Sequence, residues 1–314
     1  DRRIPASPLY SGRMRTGVLK NDLLLLLTAM IWGFAFVAQR VGMRFIEPFT
    51  YNGVRFALGT ISLLPLLYLR RQASERPRVP FATLLATGAA AGFFLFIAAS
   101  LQQIGLVYTS AGKAGFITTL YVVLVPLFGI VIGRGTGIAG WIGVALAVSG
   151  LYLLSVREGF TVAPGDLLVL ASALFWALHV LLIDRYGRMV DSIELSVLQF
   201  AICSLLCLAT AFAFETPTLD GVISASVPIL YGGLFSVGIA YTLQVVAQKK
   251  APPSHAAIIL SLEGAFAALG GWMLIGEMLD ARALAGCALM FAGMLASQFQ
   301  VISGMGRRER VLID

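Results

Sequence analysis

The sequence predicts an all-α membrane protein of ten transmembrane helices, arranged as two inverted five-helix repeats with the N- and C-termini on the cytoplasmic side. Three observations carry that expectation. The 314 residues are 58% hydrophobic and 12% charged, with a mean hydropathy of +0.87, whereas a soluble domain carries about a quarter of its residues as charges. Lysine and arginine fall mostly on one side of the apolar segments. The two halves of the chain also match each other at a nearly constant offset.

Apolar segments bounded by charges, prolines or glycines cover residues 22–39, 49–69, 81–107, 111–133, 138–156, 166–183, 192–214, 227–248, 255–276 and 281–303. A helix needs roughly 20 residues to cross about 30 Å of hydrocarbon, so ten spans use up nearly the whole chain. They are expected to be helices, because lipid offers nothing to hydrogen-bond a bare backbone and a barrel would show short alternating strands. The organisation is then a cytoplasmic N-terminal segment (1–21), a first repeat (22–156), an inter-repeat loop (157–165), a second repeat (166–303) and a cytoplasmic tail (304–314). The first long apolar run, from Leu23 through Trp32 to Val37, lacks a small-residue cleavage site and is expected to remain as a span. Met14 is a candidate native start.

With the N-terminus placed inside, 17 of the basic residues fall in inner segments and five at outer ones, with Arg55, inside a span, completing the 23. That imbalance puts both termini in the cytoplasm. Because the basic residues are spread through short loops, the net charge of +7 does not point to nucleic acid. Cys203, Cys207 and Cys287 sit in apolar runs without a Cys-x-x-Cys pair and read as packing residues. No metal, cofactor or obligate protein partner is expected, and the surroundings are a lipid bilayer.

The internal match is direct. Asn21 to Trp32 aligns with Gly165 to Trp176 at an offset of 144, which also carries Arg55-Phe-Ala onto Gln199-Phe-Ala. Gln102 meets Gln244 and Gly129 meets Gly271 at 142, and Gly143 and Gly150 meet Gly286 and Gly293 at 143. Five spans is an odd number, so the second copy enters the membrane from the opposite side, an architecture that places a shared site near the midplane between two gates. Gly88-x-x-x-Gly92, Gly129-x-x-x-Gly133 and Gly270-Gly271 provide small-residue seams for close helix packing.

Candidate site residues are polar or aromatic positions deep in spans. Trp32 and Trp176 lie about ten residues into theirs, near the bilayer centre at 1.5 Å per residue; they either line a cavity or pack a core. His179 follows Trp176 by three positions on the same helical face, as a substrate ligand, a proton carrier or a satisfied structural residue. Tyr241, Gln244 and Gln248 form a polar stripe on the eighth span, and Ser100, Gln102 and Gln103 interrupt the third. These amides either bind a carboxylate or ammonium group or join helices. Glu263 must be protonated, paired or facing water, which leaves proton coupling, recognition of an amino group, or a structural bond to a backbone break near Gly264. Its repeat equivalent, Tyr121, joins the binding candidates. Arg55 either snorkels to the outer surface or meets a substrate carboxylate. Lys113, His255, Glu277 and Asp184 lie at span ends and read as interfacial or solvated charges.

The ten-span inverted duplication, the Trp in the first span of each half, and Leu262-Glu263-Gly264 to Gly276-Glu277 followed by Gly286 and Gly293 resemble the EamA-type transporters of the drug/metabolite transporter superfamily, over about residues 22–303. Where that family often has Glu-Pro, this chain has Glu263-Gly264, and Gly133-Arg134 stands in the first half against Gly276-Glu277 in the second. The sequence is most similar to the YddG-type bacterial exporters, which implies efflux of amino acids, aromatic ones included, across the inner membrane. The expected function is therefore secondary export by alternating access through a central cavity lined by Trp32, Trp176, His179, Tyr241, Gln244, Gln102, Tyr121 and Arg55, with Glu263 and His179 as candidates for proton coupling. No catalytic residue is expected. A Gly-x-x-x-x-Gly-Lys-[Ser/Thr] phosphate loop is missing, which excludes an ATP motor of that kind. The alternatives are an exporter of drugs or other metabolites, an intramembrane lipid-acting enzyme, or a channel or scramblase.

Overall fold

Helices supply the regular structure, as lipid demands of a spanning backbone. The computed structural model describes residues 8–73, 80–131, 138–155, 162–186, 189–248 and 259–311. In chain order these contain α1 (Pro8–Gly42), α2 (Pro48–Ala73), α3 (Phe81–Tyr108), α4 (Ala111–Thr119), α5 (Tyr121–Val131), α6 (Ile138–Ser155), α7 (Pro164–Tyr186), α8 (Ser192–Phe214), α9 (Leu219–Ser224), α10 (Ser226–Leu230), a π-helix (Tyr231–Ala240), α11 (Tyr241–Gln248), α12 (Glu263–Ile275) and α13 (Ala281–Val311), with no strand among the described residues. By length and composition, six helical segments can cross a membrane: Asn21–Gly42, Pro48–Gln72, Phe81–Tyr108, Pro164–Ile183, Ser192–Phe214 and Ser226–Gln244. Four shorter apolar helices, Ala111–Val125, Ile138–Leu154, Glu263–Ile275 and Ala281–Ala296, accompany them.

Two of the shorter helices are interrupted at matching places. α4 gives way to α5 at Leu120, whose N–H turns back onto the carbonyls of Ile117 and Thr118. The chain tightens in the same way at Leu262, whose N–H donates to Ile259 O at 3.1 Å just before α12. Leu120 and Leu262 are 142 positions apart, the offset that relates Gln102 to Gln244. The first residues beyond the two breaks are Tyr121 and Glu263.

Helix association in lipid depends on close packing, because the tails are as apolar as leucine. Accordingly α4 crosses α12 where a Cβ on Gly115 would lie 2.4 Å from Ala267 Cβ, and one on Gly264 3.1 Å from Phe116 Cα. α6 and α13 approach backbone to backbone: a Cβ on Gly150 would fall 2.5 Å from Gly286 O, and one on Gly293 2.6 Å from Gly143 O. Gly88 and Gly92 of α3 seat Leu198 and Ile202 of α8. The helix pairs that touch are preserved when the halves are exchanged. α2 packs on α8, α4 on α12 and α6 on α13, each pair its own mirror, while the packing of α3 on α7 is matched by that of the π-helix and α11 on α1.

The facing ends of α2 and α8 are tied reciprocally. Glu215, just past α8, accepts from Phe49 N, Thr50 N and Thr50 Oγ1, each at 2.7 Å, while Glu47 accepts from Thr216 N at 3.0 Å. A carboxylate there satisfies the orphan donors at the start of α2 and complements its dipole.

Candidate transport site

The two tryptophans converge on one aromatic cluster. Trp32, on α1, donates through Nε1 to the carbonyl of Ser236 at 3.1 Å and meets the Tyr241 ring edge-on, 5.0 Å between centroids at 65°. Ser236 lies in the π-helix and Tyr241 is the first residue after it. π-Helical turns are rare and are often found at functional sites; here the widened stretch runs for ten residues. Tyr241 meets Phe200 at 5.0 Å, Phe200 lies 6.0 Å from Phe56, and Trp176 packs against the same cluster.

A chain of amides leads away from the second tryptophan. Trp176 Nε1 donates to Gln102 Oε1 at 2.9 Å, and Gln102 Nε2 donates to Gln39 Oε1 at 3.1 Å. Gln103 Nε2 reaches the Gln39 carbonyl at 3.3 Å, and its own buried Oε1 has no partner among the described residues. His179, one turn along α7, stands 5.9 Å from the Trp176 ring at 87° and shares a 2.8 Å hydrogen bond with Gln199 Oε1. Both indole N–H groups are thus committed to the third span of the opposite half.

The charged members lie close to the rings. Arg55 is buried on α2; its Nε donates to Asn52 Oδ1 at 2.9 Å, and its guanidinium lies 4.7 Å from the centroid of Phe56 and 5.6 Å from that of Tyr51. Burial rules out snorkelling to the surface. Glu263 is buried at the first position of α12 and accepts from Thr119 Oγ1 at 3.4 Å, a bond that crosses from one helix break to the other. Tyr241 lies within electrostatic reach of both Arg55 and Glu263, and Tyr121 within reach of Glu263 and Tyr241. Gln244 is half-buried one turn beyond Tyr241, with no side-chain hydrogen bond among the described residues. Gly133, Arg134, Arg157 and His255 lie outside the described residues, as do the side chains of Asp184 and Gln248.

A second polar cluster lies where α1, α3 and α12 finish and α4 and α7 begin. Lys113 Nζ pairs with Asp166 Oδ2 at 3.4 Å, and Thr109 Oγ1 donates to the other oxygen of that carboxylate. Glu277 accepts from Ala111 N at 2.8 Å and pairs with Arg40 at 3.8 Å. Glu277 is therefore bonded rather than simply solvated. The turn that aims it rests on Gly276, whose φ of 69° suits glycine and ends α12.

Two surface hollows, of about 310 Å³ beside Ala139, Ile142, Leu295 and Ala296 and about 280 Å³ beside Glu47, Thr50 and Thr216, include none of the central residues. The central residues are linked to one another by ring contacts and amide hydrogen bonds. Gln39, Asn52, Thr119 and Ser236 take part without having been singled out in the sequence. Gln39 borders Arg40 and so looks interfacial, and Ser236 contributes only a backbone carbonyl.

The profile of the EamA-like transporter family fits residues 19–156 and again 163–297. The chain belongs to that family. It is a multi-pass membrane protein and a transporter. An uncharacterized transporter of Archaeoglobus fulgidus is 32% identical over 286 residues, covering 90% of this chain and 87% of its own. The uncharacterized transporter YoaV of Bacillus subtilis is 21% identical over 292 residues, covering 90% and 98%, and the uncharacterized inner membrane transporter YedA of Escherichia coli K12 is 26% identical over 217 residues, covering 66% and 69%. A solved crystal structure shares the fold with a TM-score of 0.65 at 19% identity, covering 90% of this chain and 97% of that one.

Proposed function

We propose that the chain is a secondary exporter of amino acids, aromatic ones included, working by alternating access through ten inner-membrane spans, five plus five inverted, with both termini in the cytoplasm. The observation that carries this reading is the convergence of two repeat-related indoles on one aromatic cluster, each anchored to the third span of the other half. Aromatic walls with amides beside them suit a planar or zwitterionic solute. Helix contacts that survive exchange of the halves, and matching breaks at Leu120 and Leu262, fit a shared midplane site built from discontinuous helices. The 17-to-5 distribution of basic residues supports the orientation. Glu263 and His179 are the groups through which a proton gradient would couple.

Purified protein in liposomes should give protein-dependent flux of radiolabelled phenylalanine. Flux of drugs or other metabolites, with none of any amino acid in a panel, would transfer the assignment to that class. Trp176→Ala removes a ring contact and a hydrogen bond and should lower transport by about tenfold or more. A folded Trp176→Ala protein with unchanged flux and selectivity would take Trp176 out of the pathway. Proton coupling predicts that an imposed pH gradient, at zero membrane potential, changes the rate.

A further inference from the structure

Among the described residues, Arg55 is a cation without an anion. The residue is 4% exposed, and the described ion pairs, Arg40–Glu277, Arg70–Asp191, Arg71–Glu194 and Lys113–Asp166, all leave it out. Of its five N–H groups, only the one on Nε has a partner among the described residues. That partner, Asn52, is held in turn by donating to Ala99 O at 3.0 Å. The stem lies against Gly232, where a Cβ would come within 3.2 Å of Arg55 Cδ, and Phe56 and Tyr51 flank the guanidinium. The side chain is held in place, then, while its two terminal nitrogens are unassigned. An arginine this deep in a membrane protein normally pairs with something.

The repeat sharpens the anomaly. The equivalent of Arg55 is Gln199, which has His179 as its partner. The equivalent of His179 is Ala35. One half therefore holds a closed pair of side chains where the other holds a guanidinium and a methyl group. Glu263 is also within electrostatic reach of Tyr241; it is buried, with one long hydrogen bond and no cation paired with it among the described residues.

We propose that Arg55 is the carboxylate anchor of the transport site and that Glu263, the buried carboxylate that shares Tyr241 as a neighbour, is the acceptor for the ammonium group. The inference rests on the amino-acid export reading and adds the rule by which substrates are chosen. Terminal guanidinium nitrogens bind a planar carboxylate in a bidentate fork, which an amide or an alcohol cannot replace.

The test uses the full chain in liposomes with three labelled probes: phenylalanine, phenethylamine, which lacks the carboxylate, and 3-phenylpropionate, which lacks the ammonium. Wild-type protein should move phenylalanine about 10- to 100-fold better than phenethylamine, the value of charged hydrogen bonds. Arg55→Gln should collapse that ratio towards one, with Arg55→Lys keeping an intermediate ratio. Glu263→Gln should narrow the gap between phenylalanine and 3-phenylpropionate instead. Equal wild-type flux of phenylalanine and phenethylamine would overturn the anchor while leaving amino-acid export standing. So would an Arg55→Gln protein that keeps the wild-type ratio. Flux of 3-phenylpropionate without phenylalanine would keep Arg55 as anchor and remove the amino-acid reading and the role of Glu263, and flux of none of the three would overturn both. If Arg55→Gln fails to fold, the wild-type and Arg55→Lys ratios decide the matter.

Discussion

The third helix of each half began from the same pattern and ended differently. α3 runs as an unbroken α-helix from Phe81 to Tyr108, whereas its counterpart passes through α10, a ten-residue π-helix and α11. On α3 the tryptophan of the opposite half finds a side chain, Gln102. On the π-helix it finds a backbone carbonyl, that of Ser236. The same divergence recurs at Arg55 against Gln199 and at Glu263 against Tyr121. The glycine seams and the paired helix contacts agree between the halves, whereas these positions differ.

That contrast can be broken by mirror-related substitutions. The largest effect is expected where the halves agree: Gly150→Val and Gly293→Val each push a side chain into backbone less than 3 Å away. They should cost about 3 kcal/mol or more, and equally, in unfolding assays in mixed micelles. A marked difference between the two would mean that the α6–α13 seam is not built alike at both glycines. Next comes the ion pair between Lys113 and Asp166. The Asp166 side chain is 1% exposed, so Asp166→Ala strands Lys113 and should cost about 3 kcal/mol. By contrast Arg71→Ala, whose partner is Glu194 and whose side chain is half exposed, should cost less than about 1 kcal/mol. The smallest and most informative comparison is Gln102→Leu against Gln244→Leu. The first removes partners from Trp176 and Gln39 and should cost about 1–2 kcal/mol. The second removes no described hydrogen bond and should stay within about 0.5 kcal/mol. Equal losses would mean that Gln244 acquires a partner of its own.

Much of the scaffold is legible in the chain because lipid imposes composition directly: apolar runs, flanking charges and a copied Trp-bearing first span all appear as letters. The breaks at Leu120 and Leu262 do not, because leucine has no tendency to end a helix and the tightening coincides with a close crossing through Gly115 and Gly264. Trp32, Trp176, Tyr241, Gln102 and His179 stand out as polar or aromatic groups deep in spans, and they do come together around one cluster. Gln39 is hidden by its neighbour Arg40, and its burial depends on α3 lying alongside α1. The tie at Glu277 depends on a left-handed turn that only the folded chain displays.

The carboxylate of Glu215 has a consequence for how an anion approaches. By taking up the free N–H groups at the head of α2, it quenches the positive pole that this helix would otherwise present. Arg55 lies within two turns of that neutralised end, so if it anchors a carboxylate as proposed, the anion would meet a single attractor fixed in place and not a diffuse field along the helix. Selection would then be by where the charge sits on the molecule, and solutes that are merely negative would gain little.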